Sequence, residues 1–176
     1  MGLKVIKTIN NLFLNIQKGI LFFSSLLIAF GLGAQVVMRY FLKTDLYGIE
    51  ELLVLPTIWL YFMGASYGTY MKKHISADLV SVYIKKDITR IIINLITSFI
   101  TVILTLILTI WGYQFFMWSL SNGATSTIWK IPNYSHRFSI YLGFILMLIY
   151  FLAEFVKQFG MLISEIKKTK ESQERN

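Results

Sequence analysis

The sequence predicts an all-α membrane protein with four transmembrane helices, an N-terminal amphipathic helix, and a cytoplasmic interfacial helix between the second and third spans. Apolar residues make up 56% of its 176 residues, more than a soluble domain of this length can shield from water. They are concentrated in four long runs, separated by short polar blocks. The lipid bilayer is therefore the predicted environment of the chain.

Residues 1–19 are predicted to form an amphipathic helix at the membrane surface. Their apolar side chains recur at helical spacing, with lysine and asparagine largely on the other faces. An ordinary solvated N-terminal extension is the alternative interpretation. The apolar run that follows is longer than the hydrophobic region of a signal peptide and has no convincing cleavage site, so a retained helix is predicted.

Residues 20–166 are predicted to form the four-helix transmembrane domain. At 1.5 Å per residue, four apolar segments are long enough to cross about 30 Å of hydrocarbon. These segments are residues 20–41, 52–70, 91–118 and 138–159. The third is longer than a span requires, which predicts tilting or projection, and Pro56 is expected to bend the second. Residues 167–176 contain no apolar side chain and are predicted to be a disordered cytoplasmic tail.

The distribution of basic residues predicts the orientation of the chain. Of the 17 Lys and Arg residues, 13 lie in the N-terminus, the second loop or the C-terminus. Positively charged segments stay in the cytoplasm, so both termini are predicted to lie on the cytoplasmic side of a bacterial inner membrane. The net charge of +8 is better explained by this orientation than by nucleic-acid binding, because no basic cluster alternates with stacking aromatic residues.

Few residues are suited to catalysis or to binding a cofactor. The absence of cysteine excludes disulfides and thiolate metal sites. His74 and His136 are predicted on opposite sides of the membrane, so they cannot share a metal ion. Neither a catalytic triad nor a glycine-rich phosphate loop occurs, and no enzyme activity or cofactor is predicted. Glu154, the only acid inside a predicted span, is followed one turn later by Lys157, which favours a helix-end ion pair over an ion-coupling site.

Charged residues also mark the outer ends of the first two spans. Glu50 and Glu51 begin the second span, where the helix dipole favours carboxylates. Arg39, near the end of the first span, is expected either to reach lipid headgroups or to pair with Glu50 or Glu51 across the short loop. Such an ion pair would fix how the first two helices cross.

Small residues inside the spans predict close helix packing. Gly64 and Gly68 form a GxxxG pair, and Trp59 is expected to be a core or membrane-interface residue. Threonines recur every fourth residue along the third span, at positions Thr97, Thr101, Thr105 and Thr109. These faces suit contacts within the chain and equally suit docking against a larger membrane partner.

A series of short motifs extends from the end of the first span into the second loop. In order, the motifs are Arg39-Tyr40, Glu50-Glu51, Trp59, Gly64-Ala65, and His74-Ile75 followed by Asp78. Their order and spacing resemble those of the small membrane subunit of tripartite ATP-independent periplasmic (TRAP) transporters. The chain departs from many members of that family in having Tyr47, Gly48 and Ile49, rather than a tryptophan, before the acidic pair.

The resemblance implies a subunit of a heteromeric secondary transporter. In that family a periplasmic binding protein delivers an organic acid, such as sialic acid or a C4-dicarboxylate, to a large multi-span membrane subunit. The large subunit moves the acid together with sodium ions, and the small subunit acts as a scaffold. The expected partners of this chain are therefore the large subunit, the binding protein and membrane lipids.

Within this interpretation the candidate residues have structural roles. Arg39, Glu50 and Glu51 would fix the outer helix hairpin, while His74 and Asp78 would organise the inner interfacial helix. Two other hypotheses compete with the scaffold. One is an autonomous proton-coupled exporter that acts as an oligomer and uses Glu154, and the other is a membrane anchor for an enzyme.

Overall fold

The chain folds into four long α-helices. The computed structural model describes the backbone of residues 2–44, 47–71 and 87–173, and the side chains of residues 10, 12–44, 47–71 and 88–167. The helices are α1 (Gly2–Tyr40), α2 (Ile49–Tyr70), α3 (Asp87–Asn122) and α4 (Tyr134–Gln173). The only β-type pairing in these ranges is an isolated bridge between Thr125 and Pro132. The predicted all-α class is confirmed.

Each helix contains a stretch that is long and apolar enough to cross a membrane. These stretches are Leu12–Tyr40, Ile49–Tyr70, Ile88–Asn122 and Tyr134–Lys167. The prediction of four spans is therefore confirmed. Pro56 lies inside α2, which is continuous from Ile49 to Tyr70.

The N-terminal segment differs from the expectation in its boundary. Helix α1 passes through the predicted limit at residue 19 without a break, and its apolar stretch includes residues before that limit, from Leu12 onward among those described. Leu14 and Gln17 are buried, so this part of α1 packs in the bundle. The side chains of residues 1–9 are not described, and the surface position of that segment stays a prediction.

The C-terminal segment also differs from the expectation. Helix α4 continues to Gln173, across most of the segment predicted to be disordered from residue 167. Lysine, glutamate and glutamine are good helix formers, and extending an existing helix avoids the cost of nucleation. The predicted interfacial helix of the second loop, with His74 and Asp78, lies outside the described residues.

The four helices form a row. Helix α1 packs along α2, α2 along α4, and α4 along α3, so the order across the row is α1, α2, α4, α3. Two antiparallel hairpins, α1–α2 and α3–α4, are thus joined through the parallel central pair of α2 and α4. The outer two helices of the row each have one extensive helix neighbour among the described residues.

The central pair is held together by aromatic packing and one glycine. A Cβ atom on Gly143 of α4 would lie 2.8 Å from the Cβ of Phe62 and 3.1 Å from its carbonyl oxygen, so only glycine permits this backbone approach. The Phe62 and Phe144 rings meet edge to face at 5.4 Å, and Trp59 lies beside Phe138 with centroids 6.4 Å apart.

Gly64, the first glycine of the predicted GxxxG pair, does not mark the closest helix approach. A Cβ on Gly64 would lie 3.6 Å from a Leu21 methyl group of α1, which is ordinary van der Waals contact. Gly68 is half-buried on the same helix. Gly31 of α1 is the tighter contact in this hairpin, because a Cβ there would meet the Leu53 side chain at 2.5 Å.

Very little of this row is internal core. Among the described residues the buried hydrophobic side chains are Leu14, Met63 and Met147. Large apolar side chains elsewhere are open to their surroundings, for example Phe30 at 70% and Trp111 at 63% exposure. A row of helices leaves both broad faces uncovered, and these faces need lipid or protein around them.

Candidate functional site: the outer clasp and the polar contacts between helices

The loop between α3 and α4 is a compact turn. The backbone N–H of Ser126 donates to the Ile131 carbonyl at 2.9 Å, and that of Asn133 donates to the Ala124 carbonyl at 3.0 Å. The Ser126 hydroxyl accepts a further hydrogen bond from the Ile131 N–H at 3.1 Å. Lys130, with φ of 53°, adopts the left-handed conformation that reverses the chain here.

Glu51 at the start of α2 binds the backbone of this loop. Its Oε1 accepts hydrogen bonds from the N–H groups of Thr127 and Ile128, both at 3.0 Å. Its Oε2 accepts from Ile128 and Trp129, both at 3.1 Å. Three successive backbone N–H groups thus surround one carboxylate, an arrangement suited to an anion. Hydrogen bonds to a charged group are stronger than neutral ones.

Trp129 forms a second contact, a side-chain hydrogen bond to the loop between α1 and α2. Its indole Nε1–H donates to the carbonyl oxygen of Gly48 at 3.0 Å. Gly48 has φ of +84°, and a Cβ at this position would lie 2.6 Å from the indole nitrogen. Glycine is therefore required both by the backbone conformation and by the closeness of the indole. We call Gly48, Glu51 and residues 126–129 the outer clasp.

The carboxylates of Glu50 and Glu51 form hydrogen bonds with partners other than Arg39, with which an ion pair was predicted. Glu50 accepts a hydrogen bond from Gln35 Nε2 of α1 at 3.3 Å, while Glu51 binds the loop after α3. Arg39 is exposed at the end of α1, and both carboxylates have other partners. The acidic pair thus connects α2 in two directions, Glu50 to α1 and Glu51 to the α3–α4 hairpin. Contact of Arg39 with headgroups stays a prediction.

A buried polar cluster connects α1, α2 and α4 in the half of the bundle that is farther from the outer clasp. Gln17 of α1 is 2% exposed, and its Nε2 donates to the Ser66 hydroxyl of α2 at 2.8 Å. Ser66 in turn donates to the Met63 carbonyl at 3.0 Å, and Tyr150 of α4 donates to Gln17 Oε1 at 3.5 Å. The Tyr150 ring also lies 5.4 Å from that of Tyr70.

A second polar chain joins α3 and α4. The Ser98 hydroxyl donates to Gln158 Oε1 at 2.7 Å, and Gln158 Nε2 donates to Glu154 Oε1 at 3.3 Å. Glu154 is half-buried and takes part in contacts within the chain. Its position in a hydrogen-bonded connection between helices favours a structural role for this acid.

The threonine series of α3 satisfies its own polar groups. The hydroxyls of Thr97, Thr101, Thr105 and Thr109 each donate to the carbonyl four residues earlier, at 2.7–3.0 Å. Only Thr105 among them is buried. Because each hydroxyl is already hydrogen-bonded within the helix, these small side chains can pack against a neighbour without leaving a hydroxyl unsatisfied.

Arg137 anchors the outer end of α4 on aromatic rings. Its guanidinium lies 4.5 Å from the Phe115 centroid and 5.0 Å from that of Trp118, and these two rings are stacked on one another. A cation over an aromatic face is attracted to it. The charge of Arg137 is thus used in packing the α3–α4 hairpin.

The interhelical polar contacts were largely missed by sequence reasoning. Gln17, Gln35 and Gln158 are amides inside apolar stretches, and that signal could have identified them as interhelical partners. The partner of Glu51 had no such signal, because residues 127–129 contribute only backbone N–H groups. Within the described ranges, no group of three or more His, Asp and Glu side chains could hold a metal ion.

These observations define a multi-pass helical membrane protein whose polar groups join one helix to the next. A family profile described as the DctQ component of tripartite ATP-independent periplasmic transporters matches residues 22–160. The chain therefore belongs to this family and is a small membrane component of a TRAP transporter. The resemblance seen in the sequence motifs is confirmed. No curated protein matches the chain significantly.

Proposed function

We propose that this chain is the scaffold subunit of a TRAP importer in a bacterial inner membrane. It would brace a large multi-span membrane subunit, which receives an organic acid from a periplasmic binding protein and moves it with sodium ions. Sialic acid and C4-dicarboxylates are examples of the organic acid that we propose is imported. The substrate and ion sites would lie in the other chains.

The open row of helices is the observation that carries this proposal. Its described hydrophobic core comprises Leu14, Met63 and Met147, and large apolar side chains are exposed on all four helices. A chain that acted alone would be expected to enclose a substrate path between its helices, and the described parts of the four helices, arranged in a row, enclose none. A broad apolar face is suited instead to a long interface with another helical membrane protein.

The placement of charge supports the same conclusion. Ion-coupled carriers keep ionisable groups or broken helices near the middle of the bilayer, where charge is costly to bury. In α3, residues 91–122 contain no charged side chain. Glu154 lies in the middle of α4, 17 residues or about 26 Å of helix after Arg137, and is hydrogen-bonded to Gln158. These features favour the scaffold over the autonomous exporter.

The outer clasp would lie on the periplasmic side. The basic residues predict both termini in the cytoplasm, which places the ends of α1 and α3 and the starts of α2 and α4 outside. By holding the α3–α4 loop against α2, Glu51 would fix the outer surface near the docked binding protein. His74 and Asp78 would organise the cytoplasmic side of the scaffold.

Purification of the tagged chain from its native membrane in mild detergent tests the assembly. Mass spectrometry is expected to identify one much larger multi-span protein bound to it. Recovery of the chain alone as a defined oligomer would contradict the scaffold proposal and favour an autonomous transporter.

Uptake measurements on matched variants test the role of the clasp. Glu51→Gln replaces one carboxylate oxygen with an NH2 group that faces backbone N–H donors, so loop docking should weaken. Insertion is expected to be normal, with a lower yield of complex or slower uptake of the organic acid. Glu50→Gln is the matched control, because Glu50 accepts one hydrogen bond from Gln35 at 3.3 Å. Equal yield and uptake for Glu51→Gln and the unmodified chain would refute the proposed role of Glu51.

A further inference from the structure

Arg137, near the start of α4, is a cation without an anionic partner in the described part of the chain. Its guanidinium lies over the rings of Phe115 and Trp118, which are within 8° of parallel. Among the described residues it donates no hydrogen bond and forms no ion pair. Only its Nη1 is enclosed without a partner, so Nε and Nη2 are the nitrogens that an external ligand can reach. The two rings therefore fix the position of a charge whose hydrogen bonds are still available.

The level of Arg137 in the bilayer follows from α2. That helix has 22 residues and is about 33 Å long, so it crosses the hydrocarbon with little to spare. Glu51 holds its outer end against the loop between α3 and α4, which places this loop at the outer headgroups. Arg137 lies three residues, or about 5 Å of helix, after α4 begins at Tyr134. Its guanidinium is thus within reach of the phosphates of the outer leaflet, which the basic residues predict to be the periplasmic one.

The surface of α3 that continues from Arg137 toward the middle of the bilayer consists of bulky apolar side chains. They recur every three or four residues on one face and are exposed by 40% to 63%. These side chains are Leu104, Leu108, Trp111, Phe115 and Trp118. Contacts between membrane helices are enriched in small residues, whereas indole rings are enriched where a protein meets the membrane interface. This face therefore favours a lipid acyl chain over a partner helix.

We propose that Arg137 binds the phosphate of a phospholipid in the outer leaflet, with one acyl chain along this exposed face of α3. Nε–H and Nη2–H lie along one edge of the planar guanidinium and can donate to two oxygens of one phosphodiester. Phosphatidylethanolamine and phosphatidylglycerol both carry this group, so either lipid fits. A soluble phosphate ester would leave Leu104, Leu108 and Trp111 uncovered. A partner subunit that offered a carboxylate would have to pack its helix on the same bulky side chains.

Native mass spectrometry of the full-length chain, purified in mild detergent and depleted of lipid, tests this site. The lipid probes are dioleoylphosphatidylethanolamine, dioleoylphosphatidylglycerol and dioleoylglycerol, which has the same acyl chains and no phosphate. Inorganic phosphate is the probe without acyl chains. Arg137→Gln is compared with Arg39→Gln, which removes an exposed arginine at the outer end of α1. Arg137→Lys keeps the charge without the paired N–H groups, and Trp118→Leu removes one of the two rings.

The unmodified chain is expected to retain either phospholipid in preference to dioleoylglycerol and inorganic phosphate. Arg137→Gln should weaken phospholipid retention by about tenfold, because charge-assisted hydrogen bonds to the phosphate are lost, whereas Arg39→Gln should not. Arg137→Lys should restore part of the binding. Trp118→Leu should weaken it, because one ring in place of two then holds the guanidinium. An unchanged helical circular dichroism spectrum in each variant shows that loss of lipid is not loss of fold.

Three results would overturn the proposal. Equal retention of phospholipid by the Arg137→Gln and Arg39→Gln variants would show that Arg137 does not hold the lipid. Equal retention of dioleoylglycerol and phospholipid would show that the chain recognises acyl chains and not a phosphate. If Arg137→Gln left phospholipid binding unchanged but released a multi-span partner during purification from the native membrane, the guanidinium would instead bind a carboxylate of that partner. The lipid measurements use the isolated chain, so they do not depend on whether it assembles with a transporter subunit.

Discussion

Replacing Gly48 with alanine should release the loop between α3 and α4 from the start of α2. Gly48 has φ of +84°, and the added Cβ would lie 2.6 Å from the Trp129 indole nitrogen and 2.9 Å from Ile128 Cγ2. The indole must therefore move, and its hydrogen bond to the Gly48 carbonyl is lost. Gly123→Ala is the matched control, because its φ is +56° but nothing lies within 4 Å of the added atom.

The two substitutions share one cost and differ in another. Placing alanine in the left-handed region costs roughly 1 kcal/mol at either position. Only at Gly48 do overpacking and the lost hydrogen bond add a further cost of about 2 kcal/mol. A difference of that size corresponds to a roughly thirtyfold larger population of the open loop.

Limited digestion with trypsin measures this population. Lys130 is exposed, but the turn around it is held by the hydrogen bonds of Ser126 with Ile131, so cleavage after Lys130 requires the loop to open. The full-length chain is digested in detergent, and the fragment ending at Lys130 is quantified by mass spectrometry over time. Gly48→Ala should be cleaved much faster than Gly123→Ala. Equal cleavage rates for the two variants would refute the argument that Gly48 and Trp129 hold the clasp.

Three further substitutions, with Gly160→Ala as a control for the first, test contacts between helices and the role of Glu154. Gly143→Ala should lower the free energy of unfolding by about 2 kcal/mol because the backbone of Phe62 cannot yield. Gly160→Ala, the control, adds an atom in open space and should be neutral or stabilising. Equal melting temperatures of the Gly143→Ala and Gly160→Ala variants in detergent would contradict this argument. Gln17→Leu should cost about 1 kcal/mol through its lost interhelical hydrogen bond, and an unchanged unfolding midpoint would dismiss that contribution. Glu154→Gln should leave uptake by the reconstituted complex unchanged, and abolished uptake with intact assembly would instead favour the proton-coupled exporter.

The length and hydropathy of the apolar segments predicted the four spans because a bilayer imposes a minimum helix length. The boundaries were less well predicted at both termini. Helix α1 already packs in the bundle at Leu14 and Gln17, before residue 20, and α4 continues to Gln173. Hydropathy records where apolar residues stop, but a helix continues through polar residues as long as its backbone hydrogen bonds are satisfied.

The candidate site was predicted in part. The sequence predicted that Glu50 and Glu51 fix the outer hairpin together with Arg39, whereas their hydrogen-bond partners in the structure are Gln35 and a loop backbone. Charge complementarity pointed to the arginine, which is the nearest cation in the sequence. It could not indicate residues 127–129, since the N–H groups that bind Glu51 are present in every residue except proline.

By itself, the sequence determined the membrane environment, the number of helices and the family to which the chain belongs. Composition and the order of short motifs are properties of the chain alone, and the bilayer permits few architectures for four apolar segments. Only the tertiary structure decided that the helices form a row in the order α1, α2, α4, α3. Only the structure placed Gly143, and not Gly64 of the GxxxG pair, against the backbone of a neighbouring helix. The physical reason is that lipid is as apolar as the helix faces, so hydrophobicity drives insertion without selecting neighbours, and close packing and hydrogen bonds choose them.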